Sequence, residues 1–405
     1  MHTNLRHLQC FREVALLGSL GAAARAMHMS QPAVTQAVAG LEAHFGAPLL
    51  TRRSHGVTLT PAGEICRVRI ERALQQMREA LLDIRQPGAQ RSDPLRAVRS
   101  RQLAALSAVV EHGNFSAAAR AQRTSQSSLH RSARELEKLL GFALFEKTSF
   151  GITPTRDAQR LARRVRLAFG ELSQAQAEMR ALRGRESGRT VVGTMPLARS
   201  YLVPTALLEF SQANPHHTVE VLDGTFPNLL ASLRSGEADV LIGALRTPAP
   251  GPDVVQEHLF DDPLAIIARA GHPLARRRPT VASLRKYQWI APRRGSPLRA
   301  QFDALLNTGG NDAPVVSLEC NSLAAARAFL LESDRLMLLS AHQIHYEMLA
   351  GLLVALPHPS GNVRRPIGLT LRKNWQPTAL QEQLLEVLRR VARAAAASHA
   401  RLRSA

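Results

Sequence analysis

The strongest constraint on the fold of this chain is that it matches itself. Residues 8–60 align with residues 103–155 at a constant offset of 95, without a gap and with 18 identities in 53 positions. The shared residues include Leu8/Leu103, Gly18/Gly113, the run 22–26/117–121, Ser30/Ser125, Gln31/Gln126, Leu41/Leu136, Glu42/Glu137, Gly46/Gly141 and Gly56/Gly151. A match of this density points to duplication of one folding unit, so a reading of either copy constrains the other. At roughly 100–200 residues per domain, 405 residues leave room for a further fold after the second copy.

Each copy reads as helix, helix, turn, helix and hairpin. In the first, Leu8, Phe11, Val14 and Ala15 fall on one helical face and Gly18 ends the helix. Residues 22–27 form a short second helix with small side chains. Ser30 stands where a helix N-cap belongs, and Pro32 sits early in the next helix, where its missing N–H costs nothing. That third helix spans about 31–44, with Val34, Val38, Leu41 and Phe45 on its apolar stripe. Its other face carries Gln31, Ala33, Thr35 and Gln36, the positions from which a helix-turn-helix reaches base edges. Gln can bond adenine with two hydrogen bonds and the Thr methyl can touch thymine. Two β-like runs around Ser54-His55-Gly56 make a hairpin that projects Arg52, Arg53 and His55 toward phosphates or a minor groove. The second copy repeats this with Ser125 as cap, Gln126, Ser127, Ser128, His130 and Arg131 on its third helix, and Lys147 on its hairpin. Arg123 and Arg134 add further positive charge to its open face.

Charge favours the same reading. The net charge is +20, and residues 1–188 hold 28 Lys and Arg against 15 Asp and Glu, while the remainder hold 24 against 17. A basic excess placed on the repeated half points to a polyanion, most simply double-stranded DNA. The three cysteines, Cys10, Cys66 and Cys320, are far apart, which excludes a disulfide framework and a Cys-based zinc site and fits a reducing compartment. No apolar run is long enough to span a membrane and the first residues lack the apolar stretch of a secretory signal, so a cytoplasmic location without a membrane partner is expected.

The pattern Leu8, Phe11, Val14, Gly18-Ser19, Ala22-Ala23-Ala24, Ser30-Gln31-Pro32-Ala33-Val34, Leu41-Glu42, Gly46, Leu49, Arg52, Leu59-Thr60, Gly63 resembles the winged helix-turn-helix of LysR-type transcriptional regulators. The resemblance runs through nearly the whole chain. The departure is the duplication, because the family usually carries one such domain. The second copy keeps Ser125-Gln126-Ser127-Ser128-Leu129 and Leu136-Glu137, but Pro154, Arg156 and Asp157 replace Leu59, Pro61 and Ala62 of the first. The resemblance implies a regulator that binds an operator in response to a small-molecule effector, a carboxylate or a sugar, and contacts RNA polymerase.

After each copy comes a long helical stretch without proline, residues 62–86 and 156–183, each with an apolar stripe. In the family such a helix pairs two subunits, so a homodimer or homotetramer is expected. PGAQRSDP (87–94) and RGRESGR (183–189) punctuate the chain. The expected domains are therefore 1–61, a first winged helix-turn-helix; 62–95, a linker helix and interdomain linker; 96–155, a second winged domain; 156–188, a linker helix; and 189–405, a receptor.

From residue 189 short β-rich runs alternate with helices: strands near 190–194, 218–222 and 238–243 with helices 197–214 and 228–236, then a second set from Leu264 and a final helix near 378–395. That order implies an α/β fold with a mostly parallel sheet. Crossings near Asp262-Pro263 and residues 364–366 divide it into two lobes, about 189–262 with 366–405 and about 263–365, matching a periplasmic-binding-protein-like receptor. The fold class is thus multidomain, two α-rich winged domains with linker helices followed by an α/β two-lobe receptor. In open α/β sheets ligands bind beyond the carboxyl ends of strands, at helix N-termini. That rule selects Thr194, Met195, Pro196, Leu197 and Thr225 in one lobe, and Arg293, Arg294, Ser296, Asn321 and Ser322 in the other. Free N–H groups there favour an anion, which Arg293 or Arg294 would clamp.

No GxGxxG, GxxxxGK[ST], GxSxG or HExxH string occurs, so no catalytic residue, metal ligand or cofactor is expected, and no enzyme activity. The competing reading is a solute-binding or transport-accessory protein built on the two-lobe half.

Overall fold

The computed structural model describes residues 4–54, 56–84, 93–149, 151–184, 187–306, 316–361 and 363–402. The expected linker at 87–92, the hairpin residue His55 and residues 185–186 of the second punctuation lie outside the described residues. The chain divides into two compact units, with the boundary at Gly188/Arg189.

In the first unit the duplication is carried into the backbone. Helices α1 (Leu5–Leu17), α2 (Leu20–Ala26) and α3 (Gln31–Phe45) precede a hairpin, β1 (Leu50–Arg53) with β2 (Gly56–Leu59), and then α4 (Pro61–Asp83). The second copy gives α5 (Ser100–His112), α6 (Phe115–Ala121), α7 (Gln126–Leu140), the hairpin β3 (Phe145–Thr148) with β4 (Gly151–Pro154), and α8 (Arg156–Ala181). The same local devices end and start the elements. Gly18 and Gly113, and Gly46 and Gly141, adopt left-handed conformations that stop their helices, which glycine does without a Cβ penalty. Ser30 and Ser125 accept from Ala33 N and Ser128 N, and Thr60 and Thr155 from Gly63 N and Ala158 N. Each such cap satisfies an orphan N–H worth about 1 kcal/mol.

The apolar stripes of the long helices are covered inside one chain. Ile70, Leu74, Met77 and Leu81 of α4 share a continuous core with Leu161, Val165, Leu172 and Met179 of α8. A second chain is therefore not needed to bury them, so these stripes give no support to the subunit pairing that the resemblance implies for these helices: a stripe states that a face is buried, not which face covers it.

The second unit holds a nine-stranded sheet. Its first lobe is built from β5 (Gly188–Thr194), α9 (Pro196–Arg199), α10 (Leu202–Ala213), β6 (His217–Asp223), α11 (Phe226–Ser235) and β7 (Val240–Ala244). The strand β8 (Val254–Arg269) runs through both lobes. The second lobe follows with α12 (Val281–Leu284), β9 (Trp289–Ala291), α13 (Pro297–Leu306), β10 (Val316–Glu319), α14 (Leu323–Leu331), β11 (Leu336–Ser340), α15 (His345–Leu349) and β12 (Leu353–Leu356). The chain returns through β13 (Arg364–Arg372) and closes the first lobe with α16 (Ala379–Leu402). The sheet order is β10-β9-β11-β8-β13-β7-β5-β6, with β12 also on β8.

Two expectations change here. The sheet is mixed: β5–β7, β9–β10 and β9–β11 are parallel, but β13 pairs antiparallel with β7 and β8, and β8 antiparallel with β11 and β12. The crossing near Asp262-Pro263 is itself strand, lying inside β8. The helix expected over 197–214 is broken at Ser200-Tyr201. Pro204 explains the break: in a continuous helix it would remove an interior hydrogen bond and clash with the preceding turn, whereas in the first turn of α10 its missing N–H is tolerated.

Candidate nucleic-acid interface and effector site

The third helices present the faces expected of them. Gln31, Pro32 and Gln36 are exposed on α3, with Ala33 and Thr35 half-buried; Gln126, Ser127, Ser128, His130 and Arg131 are exposed on α7. Arg52 and Arg53 lie exposed on β1, and Lys147 on β3. Several of these side chains are already engaged. The Ser30 and Ser125 hydroxyls cap their helices, and Ser125 Oγ lies 3.1 Å from Ser127 Oγ. Thr35 Oγ1 donates to Gln31 O at 3.0 Å, which leaves the methyl as what it offers a base. Gln126 Oε1 accepts from Ser116 Oγ at 3.1 Å. The His130 ring stacks on Phe115, with centroids 3.7 Å apart, so it is held rather than free. Arg134 pairs with Glu137 at 3.2 Å. No ionic partner holds Arg52, Arg53, Arg131 or Lys147 among the described residues.

The hairpins are fixed by residues whose role the sequence reading missed. Glu42 Oε1 accepts from Leu49 N (2.8 Å) and Leu50 N (3.3 Å), and Glu137 Oε1 accepts from Leu144 N (2.8 Å) and Phe145 N (3.3 Å). The signal was present as the Leu-Glu pair common to both copies. The first hairpin is also tied to α1, because Val57 N donates to Gly18 O at 2.9 Å. A Cβ on Gly56 would come within 2.4 Å of that same oxygen, whereas one on Gly151 would meet nothing within 4 Å.

In the receptor unit the expected effector residues separate into groups. Met195 and Leu197 are buried core; a Cβ on Gly243 would strike Met195. Ser322 caps α14 through Ala325 N, and Ser296 Oγ donates to Arg293 O and accepts from Arg299 N, so both have structural work. Arg294 is tied to Glu319 at 3.2 Å, which disfavours its use as an anion clamp. Pro196, Thr225, Arg293 and Asn321 are exposed. Thr194, at the carboxyl end of β5, differs from the rest. It is wholly buried, and its Oγ1 has no hydrogen-bond partner among the described residues. A buried hydroxyl without a partner carries a desolvation penalty that a ligand or water would relieve.

The contacts between the lobes beyond this strand end were not foreseen. Helix α9 follows directly on Thr194 and packs on the turn Ala341–Ile344 of the other lobe. Tyr201, at the break before α10, lies 4.2 Å from the His345 ring and 6.0 Å from the His342 ring, centroid to centroid, and Phe260 meets His342 edge-on. Where β8 passes between the lobes, the fully buried Asp262 accepts from Ser340 Oγ at 2.5 Å and from Arg365 Nη2 at 3.0 Å. Ser340 Oγ in turn accepts from His342 N. A buried carboxylate is retained only with such partners, so the crossing is cross-linked by one charge network reaching the turn that faces α9. The two adjacent Asp in an apolar run, LFDDPLAII, were its sequence signal. Among the described residues no group of three or more His, Cys, Asp or Glu is arranged to hold a metal, and no helix is long and apolar enough to cross a membrane.

Residues 183–393 match the LysR substrate binding domain, and residues 5–64 and 100–159 each match the bacterial regulatory helix-turn-helix protein of the lysR family. The HTH-type transcriptional regulator GalR of Pseudomonas putida is 33% identical over 390 residues, 96% of this chain and 97% of that regulator. The chain belongs to the LysR family. It is a LysR-type transcriptional regulator with an effector-binding domain, which removes the transport reading. Two solved structures share the LysR-type fold at 22% identity. A full-length OxyR variant from Pseudomonas aeruginosa has a TM-score of 0.54 and covers 72% of this chain and 94% of its own. Full-length CbnR complexed with target DNA has a TM-score of 0.50 and covers 72% of this chain and 99% of its own. Each covers 72% of this LysR-type chain, which leaves a share large enough for one copy of the repeat with its helix.

Proposed function

We propose that both repeated units of this LysR-type regulator are winged helix-turn-helix domains that hold operator DNA, and that an effector bound between the lobes of residues 189–405 sets that affinity. The observation that carries the reading is the repetition of one scaffold with an open, basic reading face in each copy. In the first, Gln31, Pro32, Ala33, Thr35 and Gln36 face the base edges while Arg52 and Arg53 hold phosphates. In the second, Gln126, Ser127, Ser128, His130 and Arg131 do the reading while Lys147 holds phosphate. Ser30 and Ser125 act through their caps. A solved CbnR structure is of a complex with target DNA, which favours the same partner. The domain limits are 1–61, 62–95, 96–155, 156–188 and 189–405, and the receptor has the periplasmic-binding-protein-like form. Thr194 Oγ1 donates to the effector, with Tyr201, His342 and His345 closing around it; a carboxylate or a sugar has acceptors for those groups. The regulator works in the cytoplasm as a homodimer or homotetramer assembled through surfaces other than the buried α4–α8 stripe, and touches RNA polymerase. The test is footprinting on DNA flanking its own gene, with and without candidate carboxylates and sugars. Protection that changes with one compound supports the reading, and absence of any protected DNA rejects it.

A further inference from the structure

Helices α4 and α8 run antiparallel, and their polar contacts repeat under exchange of the two copies. Arg69 Nη1 donates to Glu171 at 2.9 Å and to Gln174 at 2.7 Å. Subtracting the offset of 95, Arg164 corresponds to Arg69, Gln76 to Glu171 and Glu79 to Gln174. Arg164 Nη1 donates to Gln76 at 2.9 Å and lies 3.5 Å from Glu79. Residue i thus meets j, and the counterpart of i meets the counterpart of j, which is the signature of a two-fold interface. Residues on a two-fold axis touch their own counterparts, and Leu5 N donates to its counterpart Ser100 Oγ at 2.8 Å. Leu5, Leu8, Leu103 and Leu106 share the core of α4 and α8, so both heads are fixed to this axis. The contacts between the copies lie within one chain, and covalent connection makes such a pairing intramolecular.

We propose that one chain is a complete two-headed DNA reader whose target is a pair of unlike half-sites in inverted orientation. This rests on the reading that both copies hold DNA. A two-fold between reading heads matches the local dyad of the duplex and inverts the half-sites. The faces themselves are not equivalent: Pro32, Ala33, Thr35 and Gln36 stand where the second copy has Ser127, Ser128, His130 and Arg131. Gln pairs with adenine and a Thr methyl with thymine, whereas Arg pairs with guanine O6 and N7. The half-site under α3 is therefore A·T-reading at the position where the half-site under α7 is G·C-reading. One-headed chains need two copies to read a dyad and must read the same word twice. This chain reads two different words, so the pair of half-sites it holds is asymmetric in sequence while symmetric in spacing.

The experiment is repeated selection of duplexes from a random double-stranded DNA library by the full-length protein, followed by sequencing. The expected motif has two different half-sites, inverted, with centres a whole number of helical turns apart. Gln36→Ala loses about tenfold in preference at one position of one half only, and Arg131→Ala does so in the other half only. The combined change Pro32→Ser, Ala33→Ser, Thr35→His and Gln36→Arg, made on exposed or half-buried positions of a scaffold that already bears those residues, turns the motif into a palindrome. Identical half-sites within the pair held by one chain, a direct repeat, or one half-site alone, from the unaltered protein, overturns the proposal while leaving DNA binding intact. No enriched sequence at all overturns the DNA-binding reading and the proposal with it.

Discussion

Arg69 and Arg164 are the same position in the two copies, and the structure gives them different weights. Arg69 is 4% exposed and its fork is shared by Glu171, Gln174 and Glu178, at 2.9, 2.7 and 2.7 Å. Arg164 is 41% exposed and lies 3.5 Å from Glu79, itself 44% exposed. Replacing Arg69 by Met keeps the aliphatic stem and strands Glu171, which is buried. Breaking a buried pair costs about 3–5 kcal/mol. Arg72 still holds the other Glu171 oxygen at 2.7 Å, and Glu178 is 21% exposed and reaches water, so the low end, about 3 kcal/mol, is expected. Arg164→Met removes a solvent-screened pair and a half-exposed bond to Gln76, together worth about 1 kcal/mol. Amide hydrogen exchange of the full-length protein reads this directly over Ile70–Leu81 and Ala168–Met179. Arg69→Met should speed exchange there about 100-fold, at about 1.4 kcal/mol per factor of ten, and Arg164→Met by less than about sixfold. Equal acceleration by the two, or less than about tenfold for Arg69→Met, would refute the assignment of this network as the fastening between the copies.

Two further outcomes concern the receptor. Thr194→Val removes the unpartnered hydroxyl at nearly constant volume, so the effector should bind about 2–12-fold more weakly, the value of one neutral hydrogen bond, while the ligand-free protein unfolds at an unchanged or slightly higher temperature; unchanged affinity by calorimetry would exclude Thr194 as a ligand group. Burial holds the His217 pKa below the ordinary histidine value, so the unfolded chain takes up a proton that the folded chain refuses. Stability from this group is present above about pH 6.5 and is lost as the pH falls below that value. Both tryptophans, Trp289 and Trp375, lie after residue 189, so their fluorescence reports the receptor alone; its melting point should drop between pH 7.5 and 5.5, and His217→Gln should drop less, with equal drops counting against the argument.

The sequence spoke clearly wherever a local interaction decides the structure. The caps at Ser30 and Ser125 and the helix stop at Gly18 follow from one residue and its near neighbours, and the repeat read the cap twice. The alternation after residue 189 likewise gave nearly every strand. Contacts between distant segments were harder. The stripes of α4 and α8 were legible as apolar, but a stripe carries no address, and the reciprocal pairing of Arg69 and Arg164 appears only once the helices are brought together. Pro204 marks the start of a helix, but the longer apolar period running through it hides that signal. For the proposed effector site the strand-end rule selected Thr194 together with the core residues Met195 and Leu197, because it locates a place in the fold and not the direction in which a side chain is buried. Tyr201, His342 and His345 come from segments some 140 residues apart, and no local pattern joins them.

The central claim, that both copies hold DNA, is tested most directly by the salt dependence of operator affinity. Each phosphate contact contributes about 0.9 to the slope of log affinity against log salt. Arg52→Ala and Lys147→Ala, exposed on the two hairpins, should each lower the slope by about one and the double variant by about two. A slope that Arg52→Ala lowers and Lys147→Ala leaves unchanged would contradict the account, because only the first copy would then be touching DNA.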